Sequence, residues 1–137
     1  LTTEERSAVM AQVHSTGTKP EIKVRRAVHH AGFRFRLYRS DLPGKPDLVF
    51  PRFNLVVFIH GCFWHWHGCK RSRMPEANHD YWTRKIDRNV ERDKRNHEAL
   101  QNLGWEITII WECELQAGID MLIADLQRRR LTQSAEE

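Results

Sequence analysis

The chain has no apolar run near the ~20 residues of a membrane-spanning helix, no internal repeat and no low-complexity tract. The first absence excludes a helical membrane protein. The other two exclude a solenoid and a disordered linker chain. The opening residues lack a signal-peptide pattern, and the chain starts at Leu1 rather than Met, so the natural start is expected to be missing or processed. Cysteine is scarce, with only Cys62, Cys69 and Cys113. An odd count beside clustered histidines favours a metal over a disulfide framework and implies a reducing compartment. What is present reads as one soluble globular domain. The 137 residues are 40% hydrophobic and 29% charged, enough to build a core. A net charge of +4 modestly favours a polyanionic partner.

Thr2-x-x-Glu5 is a capping-box pattern opening a short helix over about residues 3–13. Thr18-x-x-Glu21 is expected to cap a second helix. Its apolar side is Ile22, Val24, Ala27, Val28 and Ala31, and Gly32 ends it. FRFRLY alternates, which predicts a strand with Phe33, Phe35 and Leu37 on one face and Arg34 and Arg36 on the other. LPGKPDLVF reads as a turn and a short strand, and NLVVFI as a strand buried on both faces. A long helix is expected from about His79 to Leu103. Trp82, Ile86, Val90, Leu100 and Leu103 form its stripe, which Asp93 and His97 share. WEITIIW predicts a further strand with Cys113 just past its end. Ile119, Leu122, Ile123 and Leu126 mark a last helix, and the tail at about 132–137 is expected to fray. The order ααβββαβα in a single domain, 1–137, predicts an α/β fold with a mixed sheet flanked by helices.

The stretch VVFIHGCFWHWHGC, Val56 to Cys69, places three His, two Cys, two Trp and a Phe in its last ten residues. Cys62-x4-His67-x-Cys69, with the distant Cys113, offers a soft ligand set. Zinc takes four such ligands tetrahedrally, and a closed set of four is structural rather than catalytic. The alternative is unligated thiols with histidines scattered on a polar loop. That all three cysteines are used favours zinc. Spacing leaves open whether His60, His65 or His67 is the fourth ligand.

Asp47 stands just before a strand that hairpins into NLVVFIH; an acidic residue there is either a simple turn residue or, as in nucleases that bind Mg2+ between two such strands, a metal ligand. Such nucleases carry Asp/Glu-x-Lys on the second strand; here that place reads Phe58-Ile59-His60. Asp93 on an apolar helix stripe is costly unless paired, and an imidazolium would pair it. Otherwise it reaches solvent at the stripe's edge. Phe63, Trp64 and Trp82, with Lys85 and Asn89 near the last, either wedge into or stack on DNA bases or pack under the loop as a satellite core.

LPGKPDLVF, FIHGCFWHWHGC, W..KI.RNVERD and LGW.....WEC, in that order, resemble the very short patch (Vsr-type) mismatch repair endonucleases of bacteria. The resemblance runs from about Thr18 to Leu115. It implies a restriction-endonuclease-like fold with a structural zinc. It also implies a Mg2+-dependent, cytoplasmic, monomeric enzyme that nicks duplex DNA 5′ of the T in a T:G mismatch left by deamination of 5-methylcytosine. The resemblance assigns zinc to Cys62, His67, Cys69 and Cys113. It assigns Mg2+ to Asp47 and the Ile59 main-chain carbonyl, and general-base work to His65. His60, Asp93 and Glu21 support the site, Glu21 through water at the metal. Phe63, Trp64, Trp82 and Met10 are matched to residues inserting beside the mismatch, and Lys85 and Asn89 to residues reading it. Ile59 departs from a Thr common there, and Trp66 and Gly68 from His. The competing readings are a non-catalytic zinc module binding bent or mismatched DNA through its aromatics, and a sequence-specific nuclease making double-strand breaks. The first leaves Asp47, His60, His65 and Asp93 unexplained.

Overall fold

The computed structural model describes residues 18–37 and 39–136. The helix expected over about 3–13, and Met10 with it, lies outside them.

Helix α1 (Lys19–His30) carries Pro20 in its first turn, where the missing N–H costs nothing. It closes on Gly32, whose φ of +91° is left-handed and suits glycine. The expected capping box does not form. Thr18 makes no side-chain cap hydrogen bond, and Glu21 instead accepts from Arg25 at 3.0 Å. Strands β1 (Arg36–Leu37), β2 (Leu48–Phe50), β3 (Leu55–His60) and β4 (Glu106–Trp111) form one sheet in the order β1-β2-β3-β4. The first three are antiparallel neighbours, and β4 runs parallel to β3 from Leu55↔Glu106 to His60↔Trp111. Parallel neighbours need a long crossover, and helix α2 (His79–Asn102) lies within it. Helix α3 (Leu115–Glu136) closes the fold. This is the mixed α/β sheet flanked by helices that the pattern predicts.

Strand alternation sorts the core into two layers. Leu48, Phe50, Leu55, Val57 and Ile110 face Val24 and Val28 of α1 and Ile119, Leu122 and Leu126 of α3. Val49, Val56 and Phe58 face the other way, toward Leu42 and Leu100. Each buried aliphatic side chain contributes about 1.5–3 kcal/mol relative to exposure. α3 meets the sheet closely at Gly118: a Cβ there would lie 2.7 Å from Ile110 Cγ2.

The structure departs from the sequence pattern in four further places. The FRFRLY strand shortens to Arg36–Leu37, and Leu37 is exposed while Phe33 is buried. Ile22, assigned to the apolar side of α1, is 36% exposed. On α2 only Trp82, Ile86 and Leu100 are buried; Val90 and Leu103 are exposed. The middle of this helix borders a cavity rather than a core, and Leu103 lies past its last turn. Helix α3 runs to Glu136, through most of the tail expected to fray. Thr132 Oγ1 donates to the Arg128 carbonyl and Gln133 Nε2 to that of Arg52, which ties the last turns down.

The topology brings three ends to one pole: the C-terminal end of β3, the N-terminal end of β2 and the first turn of α1. His60, Asp47 and Glu21 stand there.

Candidate functional site

A cavity of about 660 Å³ opens at this pole, with Glu21, Asp47, Ile59, His60, His65 and Asp93 in its wall. Asp47 precedes β2, and its backbone N–H donates to Val57 O at 3.0 Å. Its Oδ2 accepts the Ile59 N–H at 2.7 Å. Along an extended strand the N–H and C=O of one residue point to the same side. The Ile59 carbonyl therefore faces the Asp47 side as well, beyond the start of β2. Burial, and then the charge of Glu21, raise the Asp47 carboxyl to about 7, while the Ile59 N–H opposes the rise. The Asp47 carboxyl, facing the Glu21 carboxylate in the cavity wall, fits a cation between the two.

The imidazoles form a second group. His65 Nδ1 lies 2.5 Å from Asp93 Oδ2. The His60 ring stacks on His65 with centroids 3.7 Å apart and planes within 5°. His60 is buried, and its Nδ1 has no hydrogen-bond partner among the described residues. Burial, with the neighbouring His65 charge, lowers its pKa to about 3, so it stays neutral. Asp93 stays charged: against desolvation, the hydrogen bond from His65 holds its carboxyl below the ordinary range. The pairing expected of a carboxylate on the apolar stripe is thus present. His60, His65 and Asp93 also bring ligand atoms within 4.8 Å of one another. Face-to-face rings, however, send their lone pairs along parallel planes, a poor chelate geometry.

The soft ligand set assembles with His67. Donor atoms of Cys62, His67, Cys69 and Cys113 lie within 4.8 Å of one another, and Cys113 Sγ is 3.3 Å from His67 Nδ1. Tetrahedral zinc, with bonds of ~2.3 Å to sulfur and ~2.0 Å to nitrogen, places neighbouring ligand atoms roughly 3.5 Å apart, so the set fits. Spacing left three histidines open; the fold sends His67 to the thiols and His60 and His65 to Asp93. Trp111 stacks on the His67 ring at 4.2 Å and fixes it. The loop backbone is closed by His67 N–H to Cys62 O at 2.9 Å, and by Ser72, whose Oγ donates to Cys62 O and accepts from Gly68 N–H. Burial pushes the Cys62 thiol up to about 12. Against desolvation, the Arg71 backbone N–H and then His67 draw Cys69 down to about 6. Metal binding releases such protons.

The aromatics form a satellite cluster beside the cavity. Trp64 and Trp82 are buried with Ile86, and Phe63 and Met74 pack against them. Lys85 Nζ sits 5.2 Å from the Trp64 ring centroid and 5.7 Å from that of Trp82. Asn89 Nδ2 donates to Trp64 O at 3.2 Å.

Sequence reasoning assigned no role to Arg92, Asn96, His97, Lys45 or Glu112, which also line the cavity. Asn96 and His97 follow Asn89 and Asp93 at helical spacing, a periodic polar face that could have revealed them. Glu112 receives the Cys62 N–H at 3.3 Å, a contact that only the fold makes.

The family model described as DNA mismatch endonuclease Vsr matches residues 1–71, just over half of the chain. The chain belongs to the Vsr family. Type II nicking enzyme V.XorIIP of Xanthomonas oryzae pv. oryzae is 50% identical to it over 115 residues, 84% of this chain and 85% of the relative. DNA mismatch endonuclease Vsr of Escherichia coli is 38% identical over 126 residues, 92% of this chain and 80% of the relative. Type II nicking enzyme V.NmeAIP of Neisseria meningitidis is 45% identical over 116 residues, 85% and 83% of the two chains. As a Vsr endonuclease the chain is a DNA mismatch nicking enzyme. Such cleavage implies a divalent cation, and no helix among the described residues is long and apolar enough to cross a membrane.

Proposed function

We propose that this Vsr endonuclease acts as a monomer on duplex DNA carrying a T:G mismatch, nicking one strand on the 5′ side of the T, as required after deamination of 5-methylcytosine. The observation that carries this reading is the meeting of two groups in one cavity, Asp47 beside Ile59 and Glu21, and His65 paired with Asp93.

Asp47 and the Ile59 carbonyl would hold Mg2+, with Glu21 beside them. Bound there, Mg2+ would supply charge neutralisation on the phosphate and on the leaving oxygen. His65 takes the proton of the attacking water. Its Nδ1 is engaged by Asp93, which leaves Nε2 as the basic atom. The water oxygen bonds to phosphorus as the bond from phosphorus to the leaving sugar oxygen breaks; the water's proton stays on His65, and the leaving oxygen takes a proton from solvent. Asp93 stabilises the imidazolium so formed. His60, held neutral and stacked on His65, keeps the ring in plane without competing for the proton. The imidazoles thus take the place of the lysine absent from the second strand.

Cys62, His67, Cys69 and Cys113 would hold zinc, whose role is to stiffen the loop between His60 and Cys69. Phe63, Trp64 and Trp82 would leave their mutual packing to stack beside the mismatch, with Lys85 and Asn89 close enough to read the pair. Met10 would enter from the other groove. A non-catalytic zinc module gives no use to Asp47 or to the His65–Asp93 pair.

The deciding experiment is strand-mapped nicking with Mg2+ on short duplexes carrying each mismatch in turn. Cleavage 5′ of T in T:G alone is the expected result. Binding without nicking returns the chain to the non-catalytic reading.

A further inference from the structure

A second concavity lies at the opposite pole. Arg34, Arg36, Arg52 and Arg130 rim a cavity of about 550 Å³ floored by Phe33 and Phe53, and no carboxylate of the described residues lines it. It sits where α1 ends at Gly32 and where β2 ends at Pro51. Glu21 and Gly32 are 11 residues apart along α1, roughly 17 Å, so this cavity is separate from the cleavage site. Among the described residues Arg34 and Arg36 have no acidic partner, and both side chains are exposed. Arg130 lies over the Phe33 ring at 4.3 Å and Arg52 over Phe53 at 5.4 Å. Arg52 Nε also donates to Gln133 at 2.6 Å. The two guanidinium groups that line the inner wall are thus held in place by rings and an amide, and no carboxylate of the described residues neutralises them.

The chemistry this selects is a phosphate ester. A guanidinium presents a planar fork that matches phosphate oxygens two at a time. Arg34 and Arg36, two residues apart on extended chain, stand ~7 Å from each other, a spacing that suits neighbouring phosphates on one nucleic-acid strand. Among the described residues the four cations accompany no acidic residue in the cavity, unlike Arg39, Arg128 and Arg129, which each have a carboxylate partner. We propose that this arginine cavity is a second DNA-backbone site, which holds a segment of duplex away from the nick while the first cavity acts on the mismatch. It extends the reading that the chain acts on duplex DNA and rests on that reading. A single short duplex at the first cavity does not reach it, so the second segment comes from further along a long molecule or from another one.

The test uses zinc-loaded protein, with Asp47→Asn introduced to prevent cutting. A short mismatched duplex saturates the first cavity, and binding of a fluorescent, fully paired short duplex is then followed by anisotropy at several salt concentrations. The paired duplex should bind without displacing the mismatched one. In Arg34→Gln/Arg36→Gln, its affinity should fall at least tenfold and its salt slope should become shallower by about 2, as expected for two lost phosphate contacts. Arg130→Gln should weaken it in the same direction. Nicking of the short mismatched duplex by the same arginine variants with Asp47 restored should stay at the wild-type rate. If the paired duplex binds only by displacing the mismatched one, or binds the arginine variants equally well, the second site is refuted while mismatch nicking stands. Saturable binding of polyglutamate or inorganic phosphate at this cavity, with no binding of paired DNA there, also overturns it, since the ligand would then be an acidic peptide or a free anion. Failure of the wild type to bind or nick mismatched DNA refutes the underlying reading as well.

Discussion

The Nδ1 atom of His65 lies 2.5 Å from an Asp93 carboxylate oxygen, across 28 residues of sequence. Two residues further on, His67 Nδ1 instead lies 3.3 Å from Cys113 Sγ. Residues two apart on extended chain share a face, so neither assignment follows from spacing. The tight turns of the loop separate them: His65 N–H donates to Gly61 O, Trp66 N–H to Phe63 O and His67 N–H to Cys62 O. Trp66 takes the left-handed φ of +49° that these turns require.

His65→Ala should keep zinc content and melting temperature and lose nicking by about 10²–10⁴, the usual worth of a general base. His67→Ala should lose zinc and destabilise the whole chain, as should Cys113→Ala, which severs the loop from the end of β4. Metal analysis, thermal melting and single-turnover nicking on the three variants decide it. Zinc loss in His65→Ala with normal folding of His67→Ala would reverse the two roles.

Asp47 makes a prediction about pH. Its folded pKa of about 7 exceeds the ordinary carboxylate value of 3.8. Between these values the folded chain keeps a proton that the unfolded chain has released. The unfolded state binds fewer protons there, so this group's contribution to stability is fullest at low pH and declines as pH rises from about 4 to 7. Asp47→Asn should remove that component of the slope and melt higher than the wild type at pH 7.5 in Mg2+-free buffer. Mg2+ should raise the wild-type melting temperature by binding the native state and leave the variant unmoved. Equal Mg2+ shifts in both proteins would place the cation elsewhere.

Trp82 is 3% exposed and Phe63 half-buried, which separates two variants at the aromatic cluster. Trp82→Ala should cost about 3–5 kcal/mol of stability through the cavity it leaves, and Trp82→Phe should recover much of it. Phe63→Ala should fold nearly as well as wild type but bind a mismatched duplex more weakly, by about 1–3 kcal/mol for one lost base stack. Chemical denaturation and duplex affinity are the paired measurements. Wild-type affinity in Phe63→Ala would confine the cluster to packing.

Gly118 supplies a packing test away from the site. Alanine in a helix interior ordinarily gains about 1 kcal/mol over glycine. Here the added Cβ meets Ile110 at 2.7 Å. Gly118→Ala should therefore destabilise by about 1–3 kcal/mol, the range for overpacking a core. Gly118→Ala/Ile110→Val should relieve part of the cost if the contact is the cause; equal stability of the single and double variants would refute that cause.

The sequence by itself determined the periodic elements, the buried character of β3 and the kind of ligand at the loop. Apolar alternation and helical stripes are local properties, and thiolate and imidazole chemistry depends on residue type. The linked motifs, in order, also carried the resemblance to the family. Tertiary structure decided what local pattern cannot hold: which histidine joins the thiols, that Asp93 meets His65, and that Glu21 turns to Arg25 and Asp47 rather than to the Thr18 cap. It also decided where α2 stops being core. Val90 falls on the apolar stripe by periodicity but is exposed, because a helix buries only the part of its stripe that another layer covers. The arginines at the far pole look in sequence like an alternating strand and a basic helix end. Only the return of α3 over Gly32 and Phe33 gathers them around one cavity, because charge density is set by neighbours in space rather than along the chain.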